Sequence, residues 1–219
     1  MKKSRSQETD LSRFGRLAEY NRRRRFGVTP EPAGKVGRAQ KAELEFVVQK
    51  HRASRLHYDF RLEHDGVMLS WAVPKGPSLD PSIRRFAMQT EDHPIDYNQF
   101  EGVIPEGEYG AGTVMIWDRG TWEPEVEDVD RALAKGDLKF TLHGKKLRGS
   151  WVLVRMRERQ WLLIKHRDKI ASTVDITAAK PRSVVSRRTL AGIARSAGAS
   201  PRQLAQAQEA DASSAGPDR

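Results

Sequence analysis

Eight short runs, each rich in β-branched and aromatic residues and each bounded by Gly, Pro or Asp, limit what this chain can fold into. They are FVVQKH (46–51), LHYDFRLE (56–63), MLSWAVP (68–74), RFAMQT (85–90), GTVMIWD (112–118), LKFTLHG (138–144), GSWVLVRM (149–156) and QWLLIKH (160–166). Runs of this length and composition read as strands. Little helix separates them, so the expected fold is mainly β: a compact, closed antiparallel β-barrel of about eight strands, or a sandwich, with short helices and flexible basic termini. Asp65-Gly66 suits a tight primed hairpin turn, and GKKLRG (144–149) is a second candidate. DVDRALAKGD (128–137) is the one helical pattern inside the region, with Asp128 or Asp130 as N-cap and Gly136 as stop.

Charge divides the chain into three parts. The net charge is +10, but residues 1–42 hold 12 basic and 4 acidic residues and 173–219 hold 7 and 4, leaving 43–172 near neutrality. A neutral core between basic ends suits extensions that hold a polyanion to a site on the core; the same ends are equally explained as aids to solubility. Residues 1–42 are expected to be a partly ordered extension contributing to the site, with a short helix within LSRFGRLAEYNRRRRF. Residues 43–172 are the barrel. The Ala-, Ser- and Gln-rich segment 173–219 is expected to be a mostly disordered tail. The absence of Cys excludes disulfides, zinc ribbons and thiol nucleophiles. MKKSRSQETDLSRF has no apolar stretch behind its charges and so does not read as a signal peptide, and no run approaches membrane-spanning length. A cytoplasmic protein is expected.

The stretch HRASRLHYDFR (51–61) carries the chemistry. Alternation along a strand puts Leu56, Tyr58, Phe60 and Leu62 on one face and His57, Asp59, Arg61 and Glu63 on the other. His-x-Asp offers one imidazole and one carboxylate to a divalent ion, with His51 as the nearest third ligand. Arg61 beside them can grip an anion with its guanidinium fork. A solvated strand face with a casual Asp59–Arg61 pair would look the same. So would the beginning of a non-haem iron triad completed by His93 or His143. Elsewhere, Lys75 sits in a Pro-Gly bracket within SWAVPKGPS and suits a phosphate contact or a surface loop. TEDHPIDY gathers Glu91, His93 and Tyr97. PEGEYGAGTV (105–114) lacks the Lys and Ser/Thr of a nucleotide loop and precedes a strand, so its glycines read as turn glycines.

Three segments, FVVQKHRASRLHYDFRLEHDGVMLSWAVPKGPS, TEDHPIDYNQFEGVIPEGEYGAGTVMIWDRGTW and WLLIKHRD, resemble the 3′-phosphoesterase domain of bacterial DNA ligase D, which also occurs as free-standing proteins. The resemblance runs from about Tyr20 to Ala171. It implies a β-barrel that trims 3′ ends, removing a terminal ribonucleoside and then a 3′-phosphate to leave 3′-OH, in bacterial end joining. It also implies one Mn²⁺ ion, other divalent transition metals being admissible, held by His51, His57 and Asp59. Arg61 and His93 would hold the phosphate, and Gln49, Lys75, Glu91, Tyr97, Arg24 and Glu31 match polar positions of the family's site. Its setting implies DNA or DNA/RNA 3′ ends as substrate, Ku and an ATP-dependent ligase and polymerase as partners, a monomer and a nucleoid-associated location. Arg25 stands where the family has an aspartate, which would weaken the ribonucleoside-removing step. A non-catalytic DNA-end binding module on the same barrel is the alternative, and the iron oxygenase a more distant one.

Overall fold

Period-two alternation in consecutive strands builds the sheet, and register closes it. The computed structural model describes residues 15–37 and 43–214. Nine strands run in the order β1 (Leu44–Arg52), β2 (Leu56–His64), β3 (Val67–Val73), β4 (Arg84–Gln89), β5 (Gly102–Ile104), β6 (Gly112–Pro124), β7 (Asp137–Gly144), β8 (Arg148–Arg157) and β9 (Gln160–Lys165). Their order in the sheet is β1-β2-β3-β4-β9-β8-β7-β6-β5, and β1 also pairs with β6. That pairing closes an antiparallel barrel of eight strands, with the three-residue β5 as an added edge on β6. All eight runs read from the sequence are strands. β5 escaped because three residues are too short to show a period.

The inward residues make one core: Phe46 and Val48 of β1, Tyr58 and Phe60 of β2, Trp71 of β3, Trp117 of β6 and their neighbours around the barrel. All five tryptophans are fully buried. The β2–β3 hairpin turns at Asp65-Gly66, both with positive φ (50° and 77°), which Asp tolerates and Gly adopts freely. Helix α2 (Val129–Lys135) starts at Asp128, whose side chain accepts the N–H of Arg131. It ends at Gly136 in the left-handed region.

Beyond the barrel, the expectation of a disordered tail is corrected. Helices α3 (Ile176–Ala179), α4 (Leu190–Ser196) and α5 (Pro201–Ser214) form there. They bury Ile176, Leu190, Ile193, Ala194, Ala207 and Ala210 in the barrel's own hydrophobic cluster. Asp175 and Thr189 cap α3 and α4 through their side chains, and Asp211 of α5 accepts the N–H groups of Leu190 and Ala191. Asp211 also lies 4.0 Å from the buried amine of Lys50 on β1. Alanine hides the pattern: it adds little to hydropathy, yet lets helix backbones approach closely. The sequence expectations for residues 1–14, 38–42 and 215–219 lie outside the described residues.

The outward face of β1 to β3 carries Gln49, His51, His57, Asp59, Arg61 and Ser70. It is not solvated, because residues 15–37 and the segment 91–101 lie over it. Helix α1 (Ala18–Arg22) buries Tyr20, which with Leu17 packs on Val67 and Tyr97.

Candidate metal and phosphate site

Register alone assembles the centre of the site. His51 lies opposite His57, and Gln49 opposite Asp59. Opposed β-carbons are roughly 5 Å apart, so a two-residue step along β2 brings the carboxylate under both imidazoles. A bulge between Val48 and Gln49 in the β1–β6 pairing falls at this point. His51 Nδ1 is 3.5 Å from one oxygen of Asp59, and His57 Nε2 is 3.6 Å from the other. One ligand atom from each of the three residues lies within 4.8 Å of the others.

The ring nitrogens fit a metal. His51 Nε2 is 2.9 Å from the carbonyl of Gly110, and His57 Nδ1 is 3.1 Å from the carbonyl of Arg55. Each carbonyl takes the N–H of its ring, leaving a lone pair on the nitrogen that faces Asp59. Such carbonyl partners are the usual orienting contacts of metal-bound histidines. Two lone pairs and a carboxylate converging on one point favour a cation there, so His51, His57 and Asp59 could hold a metal ion. Burial pushes the pKa of His51 down. Burial opposes the charge on His57 as well, but the facing Asp59 outweighs it and raises that pKa. Asp59 is itself opposed by burial, yet the Arg61 guanidinium, and the two imidazoles whenever they carry a second proton, hold it well below the usual carboxylate range.

Next to this group stands an anion pocket. Arg61 Nη2 is 3.1 Å from Asp59, its Nε donates to Gln49 (3.0 Å), and its Nη1 is 3.0 Å from His93 Nδ1. Gln49 is fixed in turn by donating to the carbonyls of Tyr97 and Phe100. The imidazole of His93 is wedged edge-on between the rings of Tyr20 and Tyr97, with centroids 5.0 and 4.9 Å away. Its Nδ1 is 2.9 Å from the carbonyl of Glu91, and Arg24 lies 3.3 Å from its Nε2. Arg24 is buried against Glu31 (2.8 Å) and Glu91 (3.4 Å). Burial, reinforced by Arg61 and Arg24, drives the His93 pKa well below its ordinary value and keeps the ring neutral.

A cleft of about 220 Å³ opens onto these groups, lined among others by His51, His57, Asp59, Arg61, His93 and Tyr97. Of the residues singled out in the sequence, these six and Glu91 line it, and Gln49, Arg24 and Glu31 support it from behind. Lys75 is not brought to the group. Ala72 is the last β3 residue opposite a ligand, Asp59. Three residues further on the chain has left the sheet, and Lys75 is exposed. The two distant histidines complete no iron triad: His143 pairs with Glu123 at the exposed end of β7, and His93 faces two arginines.

Comparison with known proteins agrees with the geometry. The model of the family described as "DNA Ligase D 3'-phosphoesterase domain" matches residues 49–155. The chain is 53% identical over 182 residues to the multifunctional non-homologous end joining protein LigD of Pseudomonas aeruginosa, covering 80% of this chain and 22% of that protein. It is 46% identical over 155 residues to the corresponding protein of Mycobacterium tuberculosis, covering 71% and 20%. It is 42% identical over 167 residues to that of Mycolicibacterium smegmatis, covering 74% and 22%. The chain belongs to the DNA ligase D 3′-phosphoesterase domain family. It spans about a fifth of the length of the curated relatives it matches.

In this phosphoesterase-family chain three contributors lay beyond sequence reasoning. Arg23 pairs with Glu91 and with the hydroxyl of Tyr109, Tyr109 lines the cleft, and Gly110 orients His51 through its carbonyl. NRRRRF shows four arginines without saying which face inward, and PEGEYGAGTV shows turn glycines without saying where the turn lands. Arg25 turns away from Arg24, remains largely exposed and pairs with Glu108.

The buried neutral ring of His93 makes stability depend on pH. Its folded pKa is depressed relative to the roughly 6.5 of an unfolded chain. Its contribution is therefore present above about pH 6.5 and lost as pH falls below it, at up to about 1.4 kcal/mol per pH unit. Denaturant unfolding of the metal-free protein between pH 7 and pH 5 is expected to show this slope. His93→Asn is expected to flatten it, leaving the opposed parts due to His51, whose pKa is lowered, and His57, whose pKa is raised. An unchanged slope in the variant would show that His93 is not held neutral.

Proposed function

We propose that this domain is a metal-dependent 3′-phosphoesterase that converts blocked nucleic-acid 3′ ends to 3′-OH, in a bacterial end-joining setting within the cytoplasm. The observation that carries the proposal is the His51–His57–Asp59 group joined directly to Arg61 and His93 in one cleft. Family membership supports it, as do the relatives named for non-homologous end joining. Among the described residues no helix is long and apolar enough to cross a membrane.

His51, His57 and Asp59 would hold the ion, proposed as Mn²⁺. A divalent ion in such a set supplies Lewis-acid polarisation of a phosphoryl oxygen. The rest falls to the chain. Arg61, anchored by Asp59 and Gln49, presents its remaining N–H donors to the other phosphoryl oxygens in a fixed orientation, so no rearrangement is needed as charge develops. Arg24 adds a second cation, held in place by Glu31 and Glu91. His93 is neutral because of burial and the two guanidiniums beside it. An arriving phosphate offsets their field, raises the ring's proton affinity and readies it to protonate the leaving 3′ oxygen. Water attacks phosphorus as the P–O3′ bond breaks. His93, having taken a proton from the arriving phosphate monoester or from solvent, passes it to that oxygen, while the proton lost by the water passes to solvent, so that 3′-OH and inorganic phosphate are released. DNA or DNA/RNA ends are the proposed substrate, with Ku and a ligase or polymerase as partners acting before and after.

Arg25 tunes this range of reactions. With an arginine paired to Glu108 where the resemblance expects an aspartate, removal of a terminal ribonucleoside is expected to be slower than removal of a 3′-phosphate, by about tenfold or more. Parallel time courses on the two primer ends would read the ratio; equal rates would show that position 25 does not set it. The functional test itself is product identity. A labelled primer–template ending in a 3′-phosphate, supplied with Mn²⁺, should become extendable by a polymerase. If the end stays blocked under Mn²⁺, Mg²⁺ and Zn²⁺ alike, the domain only binds ends and the proposal is wrong.

A further inference from the structure

We propose that a second, basic groove, separate from the metal ligands, holds the sugar–phosphate backbone of duplex nucleic acid a few nucleotides before the processed end. The role given to the end rests on the function proposed above; the groove's affinity for duplex does not.

The groove lies between the β7–β8 turn and the segment that follows α3. It encloses about 630 Å³, and its wall carries Lys145, Lys146, Lys180, Arg182 and Arg187 and no carboxylate. Lys145, Lys180, Arg182 and Arg187 are exposed. Around the cleft the cations are paired, as Arg16 is with Asp92, Arg23 with Glu91 and Arg25 with Glu108. In the groove, no ion pair to an acid engages any of these four among the described residues. Like charges gathered this way repel, and an anion with several charges relieves them all at once.

The cations are mounted on a fixed frame. Asp118 accepts the backbone N–H groups of Lys145, Lys146 and Leu147 at 3.0, 3.0 and 2.8 Å, holding the β7–β8 turn. The Lys146 amine lies over the Trp117 ring and donates to the carbonyls of Lys180 (2.8 Å) and Arg182 (2.7 Å). Trp117 Nε1 donates to the Lys180 carbonyl too, and the N–H of Val184 bonds the carbonyl of Ile116. Both walls are thus tied to β6. Lys146 is the internal tie, and the other four are the contacts.

The frame also locates the groove relative to the chemistry. Ile116 lies opposite Gln49, and Gln49 opposite Asp59, which is two strand spacings or roughly 10 Å. Val184 packs with Ile116, Val47 and Met68, on the outer face that also bears the cleft. A duplex whose end enters the cleft meets the groove some 10–20 Å along, about three to six nucleotides back at 3.4 Å per nucleotide. Flexible cations without an exposed aromatic platform suit backbone contact with no base preference.

The test is binding to a duplex of about 20 base pairs with 3′-hydroxyl ends, which leaves nothing to hydrolyse, followed by fluorescence anisotropy over a range of salt. The triple variant Lys180→Glu, Arg182→Glu, Arg187→Glu is expected to bind at least about tenfold more weakly near 0.1 M salt, with a log–log salt slope smaller by about 2–3. The charge-matched control Arg131→Glu, Lys135→Glu, Lys139→Glu, on the exposed side of α2 and β7, should stay close to wild type. Unchanged binding, equal weakening by both triples, or equal competition by polyglutamate would each overturn the groove. If the first triple unfolds, Arg187→Glu alone should still reduce the slope by about one. No turnover is required, so an enzyme inactive on every end yet dependent on the groove would reject the proposed function alone. An active enzyme whose binding ignores these residues would reject the groove alone.

Discussion

An Asp59→Asn variant is expected to lose about 10³-fold or more of its turnover on 3′-phosphorylated ends. Asp59 is the one anionic member of the candidate metal set, facing both ring nitrogens at 3.5 and 3.6 Å. An amide of the same shape removes the charge that would hold a divalent ion and also the partner that fixes Arg61. Polarisation by a metal is worth several kcal/mol at the transition state, and about 4 kcal/mol corresponds to a thousandfold in rate. The fold should survive, because Arg61 keeps Gln49 as acceptor and the β2 ladder is untouched. His57→Ala should behave similarly. Retention of more than about a tenth of wild-type turnover by either variant would remove these residues from the chemistry.

Deletion of residues 173–219 is expected to have the largest effect on stability. The segment contributes three sizeable side chains, Ile176, Leu190 and Ile193, and several alanines to the main hydrophobic cluster. At about 1.5–3 kcal/mol for each large aliphatic group, the loss is about 5–9 kcal/mol before alanines and hydrogen bonds are counted. Domains of this size are stable by about 5–15 kcal/mol. The deletion also strips the carbonyl partners from Lys146 and from Trp117 Nε1. The truncated protein should therefore lose its cooperative thermal transition, or show a midpoint at least about 10 °C lower. A midpoint within about 2 °C of the full chain would mean that the helices merely rest on the barrel.

Sequence and structure meet most closely where periodicity is strict. The alternation in LHYDFRLE placed Tyr58 and Phe60 inward and His57, Asp59 and Arg61 on the opposite face, as observed. Asp65-Gly66 and the Asp128–Gly136 helix were legible because turn and cap chemistry is local. The solvated-strand alternative fell to something no local pattern encodes: residues 15–37 fold back over that face and bury Arg24 beside His93. Distance in sequence hid the rest. The 105–111 turn brings Tyr109 and Gly110 to a histidine more than fifty residues earlier, and Lys75 is lost because the chain leaves the sheet two residues before it. The ordered tail is hidden for a different reason, since beside Ile176, Leu190 and Ile193 its helices bury mainly alanines, whose small side chains leave no clear apolar stripe.

The central claim is that one ion at His51, His57 and Asp59 enables phosphoester cleavage at nucleic-acid 3′ ends. Titration of Mn²⁺ into chelator-stripped protein, with ion binding and 3′-phosphate release followed in the same samples, tests it most directly. The account predicts that activity rises from near zero and saturates together with a single bound ion, and that Asp59→Asn shows neither. Full activity in the stripped protein, or saturable activation that persists in Asp59→Asn, would contradict it.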